Sequence, residues 1–268
     1  MTGHENPAFP PEFDRGHGVR MKAVAIIPAR LAATRLPDKP LARIAGRTMI
    51  EWVYARALTA RKIDRVLVAT PDQAILDAVR AFGGDAVPTR PDHSTGTDRI
   101  AEAAGLLPSE FTVVVNVQGD EPRISPGVID AVAETLLSDP TLDMSTVCCP
   151  LPDGREDDPN VVKVVVDRSG NALYFSRSPI PYRRGTDAAY APLQHVGLYG
   201  YRRDFLESFP GLERTPLERI ESLEQLRVLE HGRRIRMVHV AHAPESVDTP
   251  EDLERVRALF AAEEGRQA

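Results

Sequence analysis

Cysteine is scarce in this sequence. The 268 residues include two cysteines, Cys148 and Cys149, and the two are neighbours in the chain. Neighbouring cysteines form neither a disulfide framework nor the spaced pairs of a zinc site. We interpret them as strand residues of a protein that works in a reducing compartment, which predicts a cytoplasmic location.

A surplus of basic residues and a long apolar run are lacking as well. The chain carries 33 basic and 39 acidic side chains, for a formal net charge of −6, whereas nucleic-acid-binding proteins usually have a basic excess. No apolar stretch approaches the roughly 18 residues that read as a membrane-spanning helix. The composition therefore predicts no nucleic-acid or membrane partner, and local basic residues must attract any anionic ligand.

Residues 1–20 are rich in proline, glycine and charge, and they lack the apolar core of a signal peptide. We expect a disordered leader, or a misassigned start, before Met21. The remaining residues 21–268 have the length and the ordinary apolar content of a single globular domain.

The first half of this domain alternates apolar strands with capped helices. The strand candidates are residues 22–29, 65–70, 85–87 and 111–117. Helices are expected to start at Thr48, which has Glu51 three residues later, at Thr70 with Pro71, at residue 97 and at Ser125. Apolar runs without alternation are typical of strands buried on both faces of a parallel sheet. This order predicts a three-layer α/β fold with a mainly parallel sheet.

The second half changes character at about residue 144. Strand candidates follow one another with few helices between them, at residues 144–149, 161–166, 172–176 and 193–201. They predict a mixed or antiparallel extension of the sheet. One helix is expected from Thr215 to about residue 230, then a strand at residues 236–240 and a last helix that Thr249 and Asp252 cap.

Three cations lie in the loop after the first strand, namely Arg30, Arg35 and Lys39. Open α/β sheets bind ligands at the carboxyl ends of their strands, and arginine together with lysine suits a triphosphate. The spacing is not that of a Walker A loop. A solvated basic loop explains the same charges, so the residues alone leave both interpretations open.

A second candidate site follows the strand at residues 111–117. Asp120 stands just beyond this strand, where a carboxylate commonly shares Mg²⁺ with substrate phosphates. Gln118 carries an amide that suits the edge of a base, and Gly119 permits close backbone approach; a Gly-Asp turn is the alternative. Asp248 suits the N-terminus of the last helix, and it joins a metal site only if the fold brings it near Asp120.

A helix start with small and hydroxylated residues forms a third candidate. Gly96, Thr97 and Arg99, preceded by His93, suit a nucleoside or a phosphate. A local N-cap explains the same residues without any ligand.

Polar residues of the second half form the last candidate. Arg177 and His195 suit a sugar carboxylate if they face a cleft, and acidic and amide groups at residues 221–225 suit sugar hydroxyls. The tyrosines and a leucine stripe at residues 217–229 fit a core or a subunit interface better than a ligand contact.

These blocks, taken together and in order, resemble one family of enzymes. The resemblance is carried by residues 27–41, 92–99, 115–122, 172–177, 195–201, 223–227 and 247–253. It is to the CMP-Kdo synthetases, or 3-deoxy-manno-octulosonate cytidylyltransferases. The resemblance implies a GT-A-like nucleotidyltransferase fold, a homodimer and a Mg²⁺ requirement. It also implies transfer of CMP from CTP to 3-deoxy-D-manno-octulosonate (Kdo), giving CMP-Kdo and pyrophosphate for bacterial lipopolysaccharide synthesis.

The resemblance also assigns roles to residues. It implies a nucleotide-binding part at about residues 21–145 and a sugar-binding and dimerisation part at about 146–240. Catalytic roles fall on Arg30, Lys39 and Asp120, and metal ligation on Asp120 and Asp248. Nucleotide contacts are implied for Pro28, Ala29, Arg30, Arg35, Lys39, Gly96, Thr97, Arg99 and Gln118. Sugar contacts are implied for Arg177, His195, Tyr199, Glu221, Glu224 and Gln225.

Three positions depart from the family's pattern, and other functions stay open. The family has an aromatic residue at the position of Leu31, serine at Ala33 and glycine at Asp38. These changes bear on rate and substrate preference, because every cation and metal carboxylate is retained. The alternatives are a cytidylyltransferase for another acidic sugar, sialic-acid-like or an amino-Kdo, a GT-A glycosyltransferase and a non-catalytic nucleotide sensor. The DxD motif usual in GT-A glycosyltransferases is missing between Gln118 and Asp120.

Overall fold

The computed structural model describes residues 21–32, 36–185 and 190–267. The predictions for residues 1–20, for Ala33 and for Arg35 lie outside these ranges. Within them, none of the helices is both long and apolar enough to cross a membrane.

Eleven strands, eight α-helices and two short 3-10 helices, Lys39–Leu41 and Phe209–Gly211, form in the described ranges. The strands are β1 Lys22–Pro28, β2 Arg43–Ile44, β3 Arg47–Thr48, β4 Arg65–Thr70, β5 Ala86–Pro88, β6 Phe111–Asn116, β7 Met144–Pro150, β8 Lys163–Val166, β9 Ala172–Ser176, β10 Leu193–Arg202 and β11 Ile235–His239. The helices are α1 Met49–Leu58, α2 Gln73–Ala81, α3 Gly96–Gly105, α4 Pro126–Ser138, α5 Arg203–Ser208, α6 Pro216–Glu221, α7 Gln225–Glu230 and α8 Pro250–Gln267.

One mixed sheet of nine strands runs through the described part of the chain. Its main path has the order β11-β7-β10-β6-β1-β4-β5, and the β8–β9 hairpin joins at β10. Strands β6, β1, β4 and β5 are parallel to one another, whereas β10 runs antiparallel to both β6 and β7. The predicted α/β fold, mainly parallel with an antiparallel extension, is confirmed.

Strand β1 shows why the first half is buried on both faces. Ala23, Ala25 and Ile27 join the cluster that α1, α2 and α4 complete. Val24 and Ile26 point to the opposite face, where α3, α5 and α7 cover the sheet. Because successive strand residues point to opposite faces, a continuous apolar run is what two covered faces require.

Helix α8 packs away from the sheet, against α1 and the small β2–β3 hairpin. Val247, Leu253, Val256 and Phe260 form a third apolar cluster with Ile44 and Met49, and the rings of Trp52 and Phe260 lie 4.5 Å apart. The predicted cap is present, since Thr249 and Asp252 exchange side-chain to backbone hydrogen bonds. This packing fixes the N-terminus of α8, where Asp248 lies.

Two predicted helices differ in the structure. The helix expected from Thr215 to residue 230 is two helices, because Ser222 adopts a left-handed conformation with φ of 51° between α6 and α7. The Arg177 side chain donates to the backbone carbonyls of Glu221 and Ser222 and so satisfies the end of α6. The helix expected at Pro71 starts at Gln73, since the Thr70 hydroxyl accepts from the backbone N–H of Asp72 and forms a turn.

A buried ion pair joins α6 to α7. The Arg227 guanidinium donates to both carboxylate oxygens of Glu218 at 2.6 and 2.8 Å, and both side chains are buried. Burial raises the pKa of Glu218, but hydrogen bonds and charge from Arg227 outweigh burial and hold that pKa below its usual value. The pair anchors the segment between the two helices, which carries Glu224.

Arg227→Met is expected to lower the free energy of unfolding by about 3 kcal/mol, because the buried Glu218 carboxylate keeps only the largely exposed Arg214, at 3.2 Å, as a counter-charge. A depressed pKa contributes stability that is present above the unfolded value of about 4.3 and is lost as the pH falls through the folded value. The variant is expected to keep only the smaller part of that acid-sensitive contribution, which Arg214 and the Thr215 backbone N–H supply, so its stability should change less between neutral and acid pH.

Urea unfolding between about pH 7 and about pH 4 measures both effects. Arg80→Met is the matched control, since Arg80 pairs with Asp77 in an exposed contact of 3.6 Å, and it should cost less than about 1 kcal/mol. An Arg227 variant no less stable than the control would refute the anchoring role of the pair.

Candidate active site

Strands β1 and β6 are adjacent and parallel, so the segments that follow them leave the sheet at the same edge. A cavity of about 330 Å³ lies there. It is lined by Pro28, Ala29, Arg30, Ala32, Leu36, Lys39, Pro40, Gln118, Gly119, Asp120 and Asp248. The two motifs that the sequence indicates after these strands, together with Asp248, therefore form one site.

Lys39 lies at the centre of the polar contacts in this cavity. Its ammonium donates to Asp120 Oδ2 at 2.8 Å, to Asp248 Oδ1 at 3.2 Å and to the Val247 carbonyl at 3.0 Å. The Val247 N–H donates to the Asp120 carbonyl at 2.9 Å, which ties the segment before α8 to the loop after β6. The fold thus brings Asp248 next to Asp120, the condition for a shared metal site.

The charge of Lys39 is secured by the two carboxylates. Burial lowers the pKa of this lysine, but Asp120 and then Asp248 outweigh burial, so the pKa is raised above its usual value. Lys39 is therefore a cation at neutral pH. It offsets the repulsion between two carboxylates that converge on one point of the cavity wall.

The donor set suits a metal that is shared with phosphates. Magnesium in nucleotide sites binds one or two carboxylates and fills its other positions with water and phosphate oxygens. Asp120 and Asp248 supply two such carboxylates beside the Arg30 loop. In the described ranges no three His, Cys, Asp or Glu side chains cluster to hold a metal ion, so a ligand would have to supply the remaining donors.

A smaller cavity of about 160 Å³ continues the first one toward the start of α3. The two share Pro28, Ala29, Arg30 and Gln118, and the smaller one adds His93, Ser94, Thr95, Gly96 and Arg99. Arg99 is held by Thr89 Oγ1 and the Arg90 carbonyl. Thr97 is buried, and its hydroxyl is hydrogen-bonded to Glu224. Among the predicted nucleotide contacts in the described ranges, Thr97 lines neither cavity.

Local backbone features shape the loops of this site. A Cβ on Gly119 would lie 3.1 Å from the Pro28 carbonyl oxygen, so glycine permits the two loops to approach. The Gln118 amide donates to Asn116 Oδ1 at 3.2 Å, which orients it. Asp38 has a φ of 54°, a left-handed conformation that favours glycine and that aspartate adopts more readily than most other residues.

A second cavity of about 440 Å³ lies beside the first. It is lined by Glu121, Asn160, Val161, Val162, Gln194, His195, Val196, Gly197, Tyr199, Ser222, Leu223, Glu224, Gln225, Ala243, Pro244 and Ser246. Four of the predicted sugar contacts, His195, Tyr199, Glu224 and Gln225, are in this set. Hydroxyl, amide and carboxyl groups around a roomy pocket suit a ligand with several hydroxyls.

His195 is held as a neutral ring in this cavity. It lies between Phe175 and Tyr199, with ring centroids 5.0 and 5.4 Å away, and its Nε2 shares a hydrogen bond of 2.9 Å with Thr146 Oγ1. Burial lowers the pKa of His195 to about 3. A neutral imidazole can hydrogen-bond a ligand but offers no charge to a carboxylate.

Arg177 and Glu221 are predicted sugar contacts that the structure places outside the lining of this cavity. The Glu221 carboxylate accepts from the Ser176 hydroxyl and the Arg177 backbone N–H at 2.6 and 3.0 Å. The Arg177 guanidinium donates to three backbone carbonyls, those of Pro159, Glu221 and Ser222. Both side chains support the walls of the cavity in this structure.

Glu121 is a residue of the second cavity that sequence reasoning missed. It is 6% exposed, and burial, with a smaller contribution from Asp120, raises its pKa to about 8. The signal for it was its place directly after Asp120 in a polar segment that ends a buried strand. The side chain of an acid at such a position is either exposed to solvent or enclosed by a distant part of the chain. A single sequence does not show which of the two applies.

Sequence and structure comparisons identify relatives along nearly the whole chain. The sequence model of a family described as cytidylyltransferase matches residues 24–235. A 3-deoxy-manno-octulosonate cytidylyltransferase of Syntrophotalea carbinolica is 53% identical over 247 residues, which cover 89% of this chain and 98% of that protein. A protein of the same description from Solibacter usitatus is 49% identical over 242 residues, which cover 90% and 95%.

Solved structures agree with these relatives. A CMP:2-keto-3-deoxy-manno-octonic acid synthetase complexed with CTP matches with a TM-score of 0.87 and 46% identity, over 90% of this chain and 99% of that one. A cytidylyltransferase from Leptospira borgpetersenii matches with a TM-score of 0.62 at 16% identity, over 90% and 87%, and this likeness concerns the fold alone. The chain belongs to the cytidylyltransferase family and, within it, to the 3-deoxy-manno-octulosonate cytidylyltransferases.

Proposed function

We propose that this enzyme transfers CMP from CTP to Kdo, with release of pyrophosphate, and so supplies CMP-Kdo for bacterial lipopolysaccharide synthesis. The observation that carries the proposal is the convergence of Lys39, Asp120 and Asp248 at one wall of the first cavity. Arg30 and Gln118 line the same cavity, and a second cavity with hydroxyl-binding groups lies beside it. This pair of cavities fits a nucleoside triphosphate and a polyhydroxy acceptor.

The side chains divide the work of the reaction. A bond forms between the anomeric oxygen of the acceptor and the α-phosphorus of CTP, the proton of the anomeric hydroxyl passes to solvent, and the bond from that phosphorus to pyrophosphate breaks. Arg30 and Lys39 hold the phosphates and offset the negative charge that grows on them in the transition state. Gln118, oriented by Asn116, binds the cytosine edge. His195, Tyr199, Glu224 and Gln225 hold the acceptor.

Magnesium belongs to the same proposal. Asp120 and Asp248 are the carboxylates that would hold it, together with phosphate oxygens of CTP. When bound, the ion supplies a positive charge for the phosphates and lowers the pKa of a nearby hydroxyl.

Pyrophosphate release from CTP with a panel of acceptors tests the function. We expect Mg²⁺-dependent release with Kdo that EDTA abolishes. N-acetylneuraminate and a no-sugar reaction are the controls, and an amino-substituted Kdo tests the nearest alternative. Pyrophosphate release with another sugar acid but not with Kdo would show that the other sugar acid is the substrate. No pyrophosphate release with any acceptor would favour a nucleotide sensor.

A homodimer and a cytoplasmic location complete the proposal. Leu173, Tyr182 and Ile220 are large apolar side chains that are exposed in the single chain, and a subunit interface in the second half would cover apolar surface of this kind. Cys148 and Cys149 are buried and free, which suits a reducing compartment. Sedimentation equilibrium is expected to give twice the chain mass, and a fully active monomer would remove the dimer from the proposal.

A further inference from the structure

The two carboxylates of the candidate metal site are anchored in different apolar clusters. Asp120 lies in the loop after β6, where Ile124 is fully buried in the cluster that α1, α2 and α4 complete. Asp248 directly follows Val247, which belongs to the separate cluster of α8 and the β2–β3 hairpin. The position of one carboxylate relative to the other therefore depends on the contacts that hold these two parts of the molecule together.

The segment that leads to Asp248 has no regular structure of its own. Residues 240–249, which the structure describes throughout, form neither strand nor helix between β11 and α8. The Val247 N–H donates to the Asp120 carbonyl at 2.9 Å. A segment outside strands and helices is held by individual contacts of this kind, so the loss of one contact is enough to let it move.

Arg123 makes a second contact between the same two parts. Its guanidinium donates to Glu245 Oε2 and to Glu263 Oε1, each at 2.6 Å. Glu245 precedes Asp248 in the irregular segment, and Glu263 lies on α8. Since Arg123 itself follows Asp120 in the loop after β6, one side chain ties that loop both to the segment before α8 and to α8.

This contact differs from an ordinary surface ion pair. An exposed pair contributes little, because water screens it and two mobile side chains lose freedom. The Arg123 side chain is 24% exposed, and the rigid guanidinium fork serves two carboxylates at once. Without Arg123, the neighbouring carboxylates of Glu245 and Glu263 would repel each other and displace the segment before Asp248.

We propose that Arg123 is a positioning residue of the metal site, because it holds the segment before α8 against the loop after β6 and so keeps Asp248 beside Asp120. This inference rests on the proposed function, since it takes these two carboxylates to hold Mg²⁺. Arg123 lines none of the three cavities of the site. Its effect on the nucleotide must therefore pass through Asp248.

Calorimetric titration with CTP, in the absence of an acceptor sugar, tests this inference. The dissociation constant of CTP is measured in EDTA and in excess MgCl₂, and the ratio of the two values reports the coupling between metal and nucleotide. Arg123→Met is expected to reduce this ratio roughly five- to tenfold, since loss of a group that orients a metal ligand commonly costs about 10- to 100-fold and Arg123 acts less directly. The dissociation constant in EDTA should change less than about twofold.

Arg257→Met is the matched control for a merely structural effect. Arg257 also lies on α8, is partly exposed and donates to Glu254 and to the Arg43 carbonyl. None of its hydrogen bonds in the described part of the chain reaches the loop after β6. The thermal midpoint should fall in both variants, while the ratio stays within about twofold of the wild type in Arg257→Met. An unchanged ratio in Arg123→Met, or an equal reduction in both variants, would overturn the assignment.

A milder variant gives a second measurement even if Arg123→Met does not fold. Glu245→Gln keeps the side-chain volume and removes the charge of the carboxylate nearer in sequence to Asp248. It is expected to reduce the ratio severalfold, and a ratio equal to that of the wild type would contradict the positioning role. A wild type that binds CTP equally well in MgCl₂ and in EDTA would instead refute the magnesium assignment in the proposed function, and this inference with it.

Discussion

Lys39→Ala is expected to lower kcat/KM for CTP by about a thousandfold. Removal of one preorganised group that stabilises transition-state charge costs about 10²- to 10³-fold. Lys39 has a second role, because its ammonium lies between Asp120 and Asp248. Without it, two carboxylates face the phosphates and each other, and both contacts become repulsive.

The measurement is initial pyrophosphate release over a range of CTP concentrations, together with the thermal midpoint of the variant. Lys22→Ala is the matched control, since Lys22 pairs with Glu110 at the surface end of β1; it should keep kcat/KM within about twofold of the wild type. A Lys39 variant within about tenfold of the wild type would show that the lysine serves the structure rather than the phosphates.

Asp120→Asn is expected to reduce kcat by about 10²- to 10³-fold and to raise the Mg²⁺ concentration for half-maximal rate. The amide keeps the size of the side chain but removes the negative charge that a hard cation prefers. Asp248→Asn should act in the same direction but less strongly. Asp248 is farther from Lys39, at 3.2 against 2.8 Å, and its side chain is more exposed, at 41% against 27%.

Magnesium titrations of the three enzymes, at fixed CTP and Kdo, measure this effect. Asp77→Asn is the control, because Asp77 lies on the exposed face of α2 near Arg80, and its titration should overlay that of the wild type. Near-normal turnover of Asp120→Asn at the wild-type Mg²⁺ concentration would remove Asp120 from the reaction and with it the proposed mechanism.

The first half of the fold follows closely from local sequence. Strands β1, β4 and β6 each contain a run of consecutive apolar residues, and both faces of the sheet are covered. Helices α1 and α3 begin at the residues that the caps indicate or next to them. Periodicity and caps act over a few residues, so one sequence is enough to predict them.

The break between α6 and α7 follows from a distant contact instead. Apolar residues continue with helical spacing through Leu223 and Leu226, so the pattern predicts one helix. Arg177, which follows β9 in the chain, donates hydrogen bonds to the backbone carbonyls of Glu221 and Ser222 at the end of α6. A contact between residues 44 positions apart leaves no periodic signal in a single sequence.

In the candidate site, too, some positions follow from the local sequence and others from tertiary packing. The sequence places Lys39 and Asp120 after two strands of one parallel sheet, and the sheet brings these positions together. It gives no such reason for Asp248, whose place depends on the packing of Leu253, Val256 and Phe260 against Ile44 and Met49. The enclosure of Glu121 by residues before α8 and after α6 is equally a result of tertiary packing.

The contact between Lys39 and Asp248 has a consequence for synthesis on the ribosome. The two residues are 209 positions apart. Lys39 and Asp120, together with the strands β1 and β6 that precede them, therefore leave the ribosome well before Asp248 is translated. A nascent chain can therefore form β1, β4 and β6 while the wall that Asp248 completes is still open. Prematurely terminated chains that end before residue 248 are expected to be inactive, even where their sheet has folded.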